Sequence, residues 1–275
     1  MKYQRKYGKS PLKVAVIHGG PGAPSSVASI ARELSQDFGV LEPLQTKTSL
    51  KGQILELKRV LDDYADIPVT LIGHSWGAWL SYILAARYPS LIKKLILVGS
   101  GPFEQKYVKE LQKTRLSCLN QLERKEYNSI IEFLNNSKVK AKNKLLNRLG
   151  ALTSKTDSYD LIPDASKERD LIDVQGDIFH KVWSEAEELR SSGKLLALGK
   201  TIQCPVVAIQ GDYDPHPAQG VKKPLSTILK DFRFILLKDC GHYPWLEREA
   251  KVKFYKILRK ELSIVINNNC NQSMA

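Results

Sequence analysis

The sequence predicts an α/β protein whose mostly parallel, doubly wound sheet is interrupted by a helical insertion. Short apolar runs typical of buried strands alternate with segments whose apolar residues recur at helical spacing. This alternation favours a parallel sheet with helices on both faces. Residues 103–200 are polar and helix-like, without a convincing strand. We therefore predict a core of residues 1–102 and 201–275, with residues 103–200 forming a helical cap inserted after the strand that ends near Val98.

The individual elements follow from the spacing of apolar residues. Buried strands are predicted at Lys13–Ile17, Val69–Ile72, Lys94–Val98, Pro205–Gln210 and Arg233–Leu237. Amphipathic helices are predicted at Ser26–Ser35, Leu50–Tyr64, Trp76–Arg87 and Glu247–Leu262. Pro89 helps to end the third of these helices. The asparagine-rich tail after the last helix is expected to fray.

Composition excludes several classes of protein. Apolar residues make up 43% of the 275 residues and charged residues 26%, which excludes a disordered or collagen-like chain. No apolar run approaches the ~20 residues that a membrane-spanning helix needs, and the N-terminus lacks the apolar segment of a signal peptide. Four scattered cysteines do not form a disulfide framework. We therefore expect a cytoplasmic protein.

The net charge of +13 raises the question of nucleic-acid binding. A phosphate-binding surface needs lysines and arginines gathered on one face. Here they are spread over most of the chain, and the densest group is the short helix-like segment Lys138–Lys144. The sequence therefore predicts no nucleic-acid partner, and the charge more simply serves solubility.

The segment Gly73-His-Ser-Trp-Gly77 fits the pattern Gly-x-Ser-x-Gly, directly between a predicted strand and a predicted helix. In that position the turn is sharp, and small residues are needed on both sides of the serine so that neighbouring backbone can approach. The turn exposes the hydroxyl of Ser75, and the following helix N-terminus favours developing negative charge. Ser75 is therefore the predicted nucleophile. A structural turn is the alternative.

A serine hydroxyl needs a base, which is itself held by an acid. His242 and Asp214 each follow a predicted strand, so both lie at the sheet edge where open α/β sheets place their sites. We predict His242 as the base and Asp214 as the acid. Asp212 is the alternative acid, although it is better suited to capping a turn. Asp212, Asp214 and His216 together also suggest a metal, but no second set of ligands lies nearby in the sequence.

The segment His18-Gly-Gly-Pro-Gly22 follows the first predicted strand. A tetrahedral intermediate needs preorganised donors for its oxyanion, and backbone N–H groups serve best where no side chain blocks approach. The backbone N–H groups of Gly20 and Trp76 are the predicted donors. His18 is expected to hold the glycine loop, and His74 to point away from the serine. His180 lies in no motif.

These residues resemble the α/β-hydrolase superfamily over the whole chain, including the cap. The glycine motif at His18–Gly22 and the Gly-x-Ser-Trp-Gly motif together resemble its prolyl aminopeptidase (proline iminopeptidase) branch. This resemblance implies a triad of Ser75, Asp214 and His242, an oxyanion hole of Gly20 and Trp76, and no cofactor.

The resemblance to these peptidases also implies cap glutamates that hold the free amino group of a short peptide. Glu185 is the nearest candidate, in an acidic segment, residues 156–190, with ten acidic and four basic side chains. An ordinary solvated helix face explains the same composition. The residue directly before the serine is His74, and in this the chain resembles many esterases and lactonases. A carboxylesterase or lactonase is therefore the alternative. A non-catalytic receptor that binds a small molecule is a third hypothesis.

Overall fold

The computed structural model describes residues 3–135, 142–163 and 175–272. They contain a sheet of seven strands in the order β1-β3-β2-β4-β5-β6-β7, in which β1 is antiparallel to β3 and every other neighbouring pair is parallel. The strands are β1 Gln4–Tyr7, β2 Leu12–Ile17, β3 Gly39–Pro43, β4 Val69–His74, β5 Ile92–Val98, β6 Val206–Gly211 and β7 Phe232–Leu237. The predicted class, a mostly parallel α/β sheet, is confirmed.

Helices cover both faces of the sheet. They are α1 Ala28–Leu34, α2 Leu50–Tyr64, α3 Trp76–Arg87, α4 Val108–Ser117, α5 Gln121–Asn135, α6 Lys142–Thr156, α7 Gly176–Ser191, α8 Lys194–Ala197, α9 Gln219–Ile228 and α10 Lys251–Gln272. One apolar core joins the sheet to α2, α3 and α9 and reaches into α7, while a second joins the other face to α1 and α10. The last helix runs past its predicted end at Leu262.

Helix α3 is the centre of the molecule. Its residues from Trp76 to Ala86 are all buried, because β4, β5, α2 and the segment Leu198–Thr201 all pack against it. A helix that is apolar all round is stable only when it is enclosed in this way. The N-terminus of this enclosed helix, where the chain enters from β4, lies at the carboxyl edge of the sheet.

Two strands were missed by the sequence analysis, β1 and β3. The edge strand β1 is polar, and β3 carries a glycine, a glutamate and a proline in five residues. Such residues are depleted in strands. Glu42 of β3 is fully buried and accepts a hydrogen bond of 2.7 Å from the hydroxyl of Tyr7. Burial and the Glu42 carboxylate raise the pKa of Tyr7 to about 12.

Helices α4 to α8 lie between β5 and β6, in the segment predicted as a cap. Six apolar side chains of α5, α6 and the α4–α5 connection form a core of their own: Leu119, Ile130, Leu134, Leu146, Leu149 and Leu152. The described part of residues 103–200 contains no strand, and only an isolated antiparallel bridge joins Leu161 to Glu247. The boundaries of the cap at residues 103 and 200 stay a prediction. Over the described ranges, no helix is long and apolar enough to span a bilayer.

Candidate active site

Ser75 lies between β4 and α3 in a backbone conformation that side chains rarely adopt, with φ 53° and ψ −114°. Such a residue stores roughly 1–3 kcal/mol of strain, which surrounding structure must hold. The backbone N–H of Ser75 helps to hold this conformation, because it donates a hydrogen bond of 2.9 Å to the carbonyl of Val98. Ser75 faces a cavity of about 510 Å³.

The two glycines of the motif are required by close packing. A Cβ at Gly73 would collide with the backbone carbonyl of Gly77, and one at Gly77 would collide with the carbonyls of Ile17 and His18. Strand β4, the start of α3 and the end of β2 therefore approach each other without intervening side chains. This is the tight strand-to-helix turn that the Gly-x-Ser-x-Gly pattern predicts.

His242 and Asp214 are joined by a hydrogen bond at the carboxyl edge of the sheet. His242 follows β7, Asp214 follows β6, and the His242 Nδ1 lies 2.8 Å from the Asp214 Oδ2, with both side chains buried. The imidazole therefore donates its Nδ1 proton to the carboxylate, and its ring also faces the cavity that Ser75 lines. The structure thus joins His242 to Asp214, and His242 and Ser75 line the same cavity.

Asp212 makes a different contact. Its Oδ1 accepts a hydrogen bond of 3.2 Å from the backbone N–H of Cys240. Asp212 therefore holds the turn after β7, as expected from its position. Of the two aspartates that the sequence left open, Asp214 is the one on the imidazole.

The carboxylate of Asp214 is bound on both oxygens. Besides His242, the Nδ1 of His216 lies 2.7 Å from Oδ1, and the side-chain amide of Gln210 donates to Oδ2 over 2.9 Å. Burial alone would raise the pKa of Asp214, but the two imidazoles and their hydrogen bonds hold it well below its usual range. Asp214 is thus an ionised acceptor across the physiological pH range.

His216 is the site residue that the sequence analysis missed as a partner of the triad. Burial lowers the pKa of His216 despite the adjacent Asp214, which keeps its ring neutral near pH 7. In the sequence, His216 stands out only together with Asp212 and Asp214, as a set that suggests a metal site. That two histidines from different loops share one carboxylate depends on tertiary geometry.

Asp214, His216 and His242 offer donor atoms that lie within 4.8 Å of one another, the only such group among the described residues. Two imidazoles and a carboxylate are ligands that zinc accepts. In the structure, however, both carboxylate oxygens already accept imidazole hydrogen bonds. A metal ion would have to replace these bonds, so this set fits a hydrogen-bonded Asp–His cluster better than a metal centre.

His74 packs against the base. Its Nε2 lies 3.0 Å from the backbone carbonyl of His242, and the two ring centroids are 4.7 Å apart. The indole of Trp245 packs on the His74 ring edge-on, also at 4.7 Å. The sequence predicted only that His74 points away from the serine. The structure adds that it contacts the loop that carries His242.

The insertion also fixes that loop. The backbone N–H of His242 donates to the carbonyl of Asp157, at the end of α6, over 2.6 Å. The buried carboxylate of Glu247 accepts from the backbone N–H groups of Tyr159 and Asp160, at 3.0 and 2.7 Å. Residues 157–160 are therefore held against the histidine loop by these three hydrogen bonds.

The glycine loop after β2 abuts the serine. A Cβ at Gly19 would lie 2.7 Å from the Nδ1 of His74 and 3.2 Å from the Cβ of Ser75, so only glycine fits. Gly20 has a left-handed φ of 58° and lines the cavity together with Trp76. The two predicted oxyanion donors therefore border the same cavity as Ser75.

His18 holds this loop, as predicted. It is fully buried, its Nδ1 lies 3.0 Å from the carbonyl of Gly19, and its Nε2 accepts from the backbone N–H of Gln45 over 3.3 Å. Burial lowers the pKa of His18 to about 4. The ring is therefore neutral, with its proton on Nδ1, and ties the glycine loop to the segment after β3.

Glu185 does not reach the cavity. Its side chain is exposed, and its carboxylate accepts a hydrogen bond of 2.9 Å from the backbone N–H of Leu50, the first residue of α2. An acceptor at this position satisfies one of the free N–H groups of the helix N-terminus. The structure thus gives Glu185 a helix-capping contact in place of the predicted substrate contact. Residues 164–174 of the acidic segment lie outside the described residues.

The cavity is mainly aromatic and apolar. The rings of Trp79 and Trp183 stack in parallel at 5.9 Å, and Phe179 stacks on Trp183 at 6.0 Å. Apart from the triad region, its charged lining residues are Arg115, Asp157 and Arg190. The site therefore combines a nucleophile, a base and a flat apolar wall.

A mostly parallel sheet with a serine on a strained strand-to-helix turn, and an Asp–His pair at neighbouring strand ends, is the architecture of the α/β hydrolases. A family model described as alpha/beta hydrolase fold matches residues 53–249, and the chain belongs to this family. The predicted superfamily is thereby confirmed.

The similarity to curated proteins is distant and covers part of the chain. Over 123 residues the chain is 27% identical to a cis-3-alkyl-4-alkyloxetan-2-one decarboxylase of Shewanella oneidensis, covering 40% of this chain and 39% of that protein. The chain thus spans about two-fifths of the length of this curated relative.

Solved structures match over nearly the whole chain. A monoacylglycerol lipase of Paleococcus ferrophilus has a TM-score of 0.64 at 17% identity, covering 96% of this chain and 98% of that one. A carboxylesterase structure of Nitrososphaera gargenis has a TM-score of 0.64 at 19% identity, covering 97% and 95%. At these identities the likeness concerns the fold.

Proposed function

We propose that the protein is a serine hydrolase that cleaves a small acyl substrate through a triad of Ser75, His242 and Asp214. The observation that carries this proposal is the buried pair of His242 and Asp214, joined over 2.8 Å at the cavity that the strained Ser75 turn faces. An acid, a base and an exposed serine hydroxyl in this arrangement form the constellation of nucleophilic acyl transfer.

In the first half of the reaction, the Nε2 of His242 takes the proton of Ser75 Oγ as the oxygen attacks the substrate carbonyl. Asp214 holds the Nδ1 proton and stabilises the imidazolium that forms. The backbone N–H groups of Gly20 and Trp76 donate to the oxyanion. The imidazolium then protonates the leaving group, and an acyl-enzyme remains on Ser75.

In the second half, water replaces the leaving group. His242 takes a proton from this water, which attacks the acyl carbonyl, and the Ser75 oxygen leaves with the proton returned by the imidazolium. The same oxyanion donors serve both halves, because each passes through a tetrahedral intermediate. Such a cycle needs no cofactor.

The charges of the cavity favour an ester over the N-terminal residue of a peptide. An aminopeptidase site needs a carboxylate that is available to the ammonium group of its substrate. Among the described lining residues outside the triad, the acidic one is Asp157, which is already bound by the guanidinium of Arg115 at 2.9 Å. We therefore rank carboxylic esters first and keep an N-terminal proline peptide as the alternative. The lipase and carboxylesterase names of the structural neighbours accord with this ranking.

Two substrates separate these alternatives. We expect 4-nitrophenyl butyrate to be turned over and proline 4-nitroanilide not to be, with ester turnover abolished in Ser75→Ala. Rapid turnover of the anilide alone would assign the protein to the aminopeptidases. Ester turnover that persists in Ser75→Ala would refute the serine mechanism. A receptor without catalytic activity would turn over neither substrate.

A further inference from the structure

A second charged group lies in the cavity beside the triad. Arg190 of α7 lines it together with Ser75, although its side chain is only 5% exposed. Its guanidinium lies over the ring of Trp79, 5.5 Å from the centroid. A cation on an aromatic face gains some attraction, but much less than water provides. A buried arginine of this kind needs further partners.

The partners of Arg190 balance its positive charge poorly. Its Nε donates to the side-chain oxygen of Gln105 over 3.1 Å, and its Nη2 to a carboxylate oxygen of Glu187 over 3.4 Å. Gln105 is neutral, and the side chain of Glu187 is 48% exposed, where water screens its charge. Within the described residues, these two acceptors serve a group that carries five N–H donors.

Arg115 provides the contrast within the same cavity. Its Nε and Nη2 bind both carboxylate oxygens of the buried Asp157, which is a fully matched bidentate pair. Burial would lower the pKa of Arg115, but Asp157 holds it well above its usual value. For Arg190, burial lowers the pKa more than the nearby Glu187 carboxylate raises it, so the pKa lies below its usual value. The charge of Arg115 is thus balanced by a buried carboxylate, whereas that of Arg190 faces only the half-exposed carboxylate of Glu187.

We propose that Arg190 binds a carboxylate of the substrate, so that the enzyme acts on acidic esters such as half-esters of dicarboxylic acids. This inference rests on the proposed hydrolase function and specifies its substrate class. A planar guanidinium matches a carboxylate through two parallel hydrogen bonds. One incompletely paired cation in a mainly aromatic and apolar cavity suits a single negative charge. A phosphate dianion would need more donors.

The position of Arg190 favours substrates with an aliphatic spacer between the ester and the carboxylate. Ser75, Trp79 and Arg190 line one cavity, and the Cζ of Arg190 lies 5.5 Å from the centre of the Trp79 ring. The aliphatic part of the acyl chain would then lie along the aromatic wall. Half-esters of glutarate, adipate and pimelate test successive spacer lengths.

The test compares two esters that differ by one charge. For each acid, kcat/KM is measured for the 4-nitrophenyl half-ester and for the same ester with its free carboxylate methylated. We expect the wild-type protein to prefer the charged ester by at least about tenfold at the best chain length. Arg190→Gln is expected to bring this ratio near one, and Arg190→Lys to retain part of it.

Arg148→Gln is the matched control, because Arg148 lies on α6 of the same insertion but is half exposed, pairs with Glu126 and does not line the cavity. It should keep the wild-type ratio. A wild-type ratio of one or less at every chain length would overturn the proposal. So would a ratio that is equal in the wild type and in Arg190→Gln.

Binding to Ser75→Ala, measured by calorimetry with phenyl adipate half-ester and its methyl ester, separates this inference from the hydrolase proposal. Tighter binding of the charged ester that is lost in Ser75→Ala/Arg190→Gln supports the anion site, even if the wild type hydrolyses neither ester. Equal binding of both esters by Ser75→Ala overturns the anion site, even if the wild type hydrolyses both.

Discussion

The imidazole of His216 stacks on that of His242, with ring centroids 4.4 Å apart and an angle of 22° between the rings. Both Nδ1 atoms bind the same carboxylate, at 2.7 and 2.8 Å. Asp214 is therefore fixed from two sides, so that one oxygen remains in line with the His242 ring. His216 acts on the triad through Asp214 and is a positioning residue.

This arrangement predicts that His216→Phe lowers kcat/KM by about 10- to 100-fold, because a carboxylate that loses one partner can turn away from the imidazole. Phenylalanine keeps the flat ring and the backbone N–H that donates to Asp214 Oδ1 over 2.9 Å, and removes only the Nδ1 donor. Asparagine retains an N–H donor near the position of Nδ1, so His216→Asn should recover much of the activity. The loss should lie in kcat rather than KM. A variant as active as the wild type would show that the stacked ring has no positioning role.

The two neighbouring aspartates should differ sharply in their effect. Asp214→Asn cannot accept the Nδ1 proton as a carboxylate does and favours the wrong imidazole tautomer, so kcat is expected to fall about 10⁴-fold. Asp212→Asn keeps an oxygen for the backbone N–H of Cys240 and should change kcat less than about threefold. Ester hydrolysis measured on both variants checks this. The opposite order would assign the triad acid to Asp212.

Gly99 is predicted to leave the space that the imidazole of His242 occupies. Its φ is +53°, and a Cβ there would lie 3.0 Å from both the Nδ1 and the backbone carbonyl of His242. Gly99→Ala should lose about 1–2 kcal/mol of unfolding free energy from backbone strain, and also most of the activity. Gly193 is the control, because its φ is +74° and nothing lies within 4 Å of an added Cβ. Gly193→Ala should lose similar stability but stay active, whereas equal activity in both variants would contradict the crowding of His242.

His18 should make the stability of the protein depend on pH. Because burial lowers the folded-state pKa to about 4, from about 6.5 in the unfolded chain, the unfolded state binds an extra proton between these values. The free energy of unfolding should therefore fall as pH drops from about 6.5 to 4, by about 3 kcal/mol from this group. In urea unfolding, the stability difference between the wild type and His18→Asn should change by that amount. A difference that is constant with pH would show that His18 is not buried as a neutral ring.

The residues that the sequence could predict are those whose role is encoded locally. Gly73 and Gly77 flank the serine because backbone approaches there, and this requirement is visible in five consecutive residues. Strands rich in β-branched and other apolar residues, such as β4 and β5, were likewise recognisable. The positions directly after predicted strands then indicated which aspartate and histidine belong to the site.

The residues that the sequence could not identify owe their role to tertiary structure. Glu42 lies in a buried strand, where the hydroxyl of Tyr7, 35 positions away, donates to its carboxylate. Arg190 stands out only because the fold buries it beside the cavity, with the exposed Glu187 and the neutral Gln105 as its acceptors. Glu185 was chosen from an acidic segment, yet its carboxylate caps a helix 135 positions away. Charge composition does not tell which acidic side chains face the cavity.

The reactivity of one serine tests the central claim most directly. Incubation with a fluorophosphonate, followed by intact-mass and peptide analysis, should show one covalent adduct per chain, located on Ser75. The adduct should be absent in Ser75→Ala and form much more slowly in Asp214→Asn. A folded wild-type protein that forms no adduct, or a Ser75→Ala variant that is labelled equally fast, would contradict the assignment of Ser75 as the nucleophile.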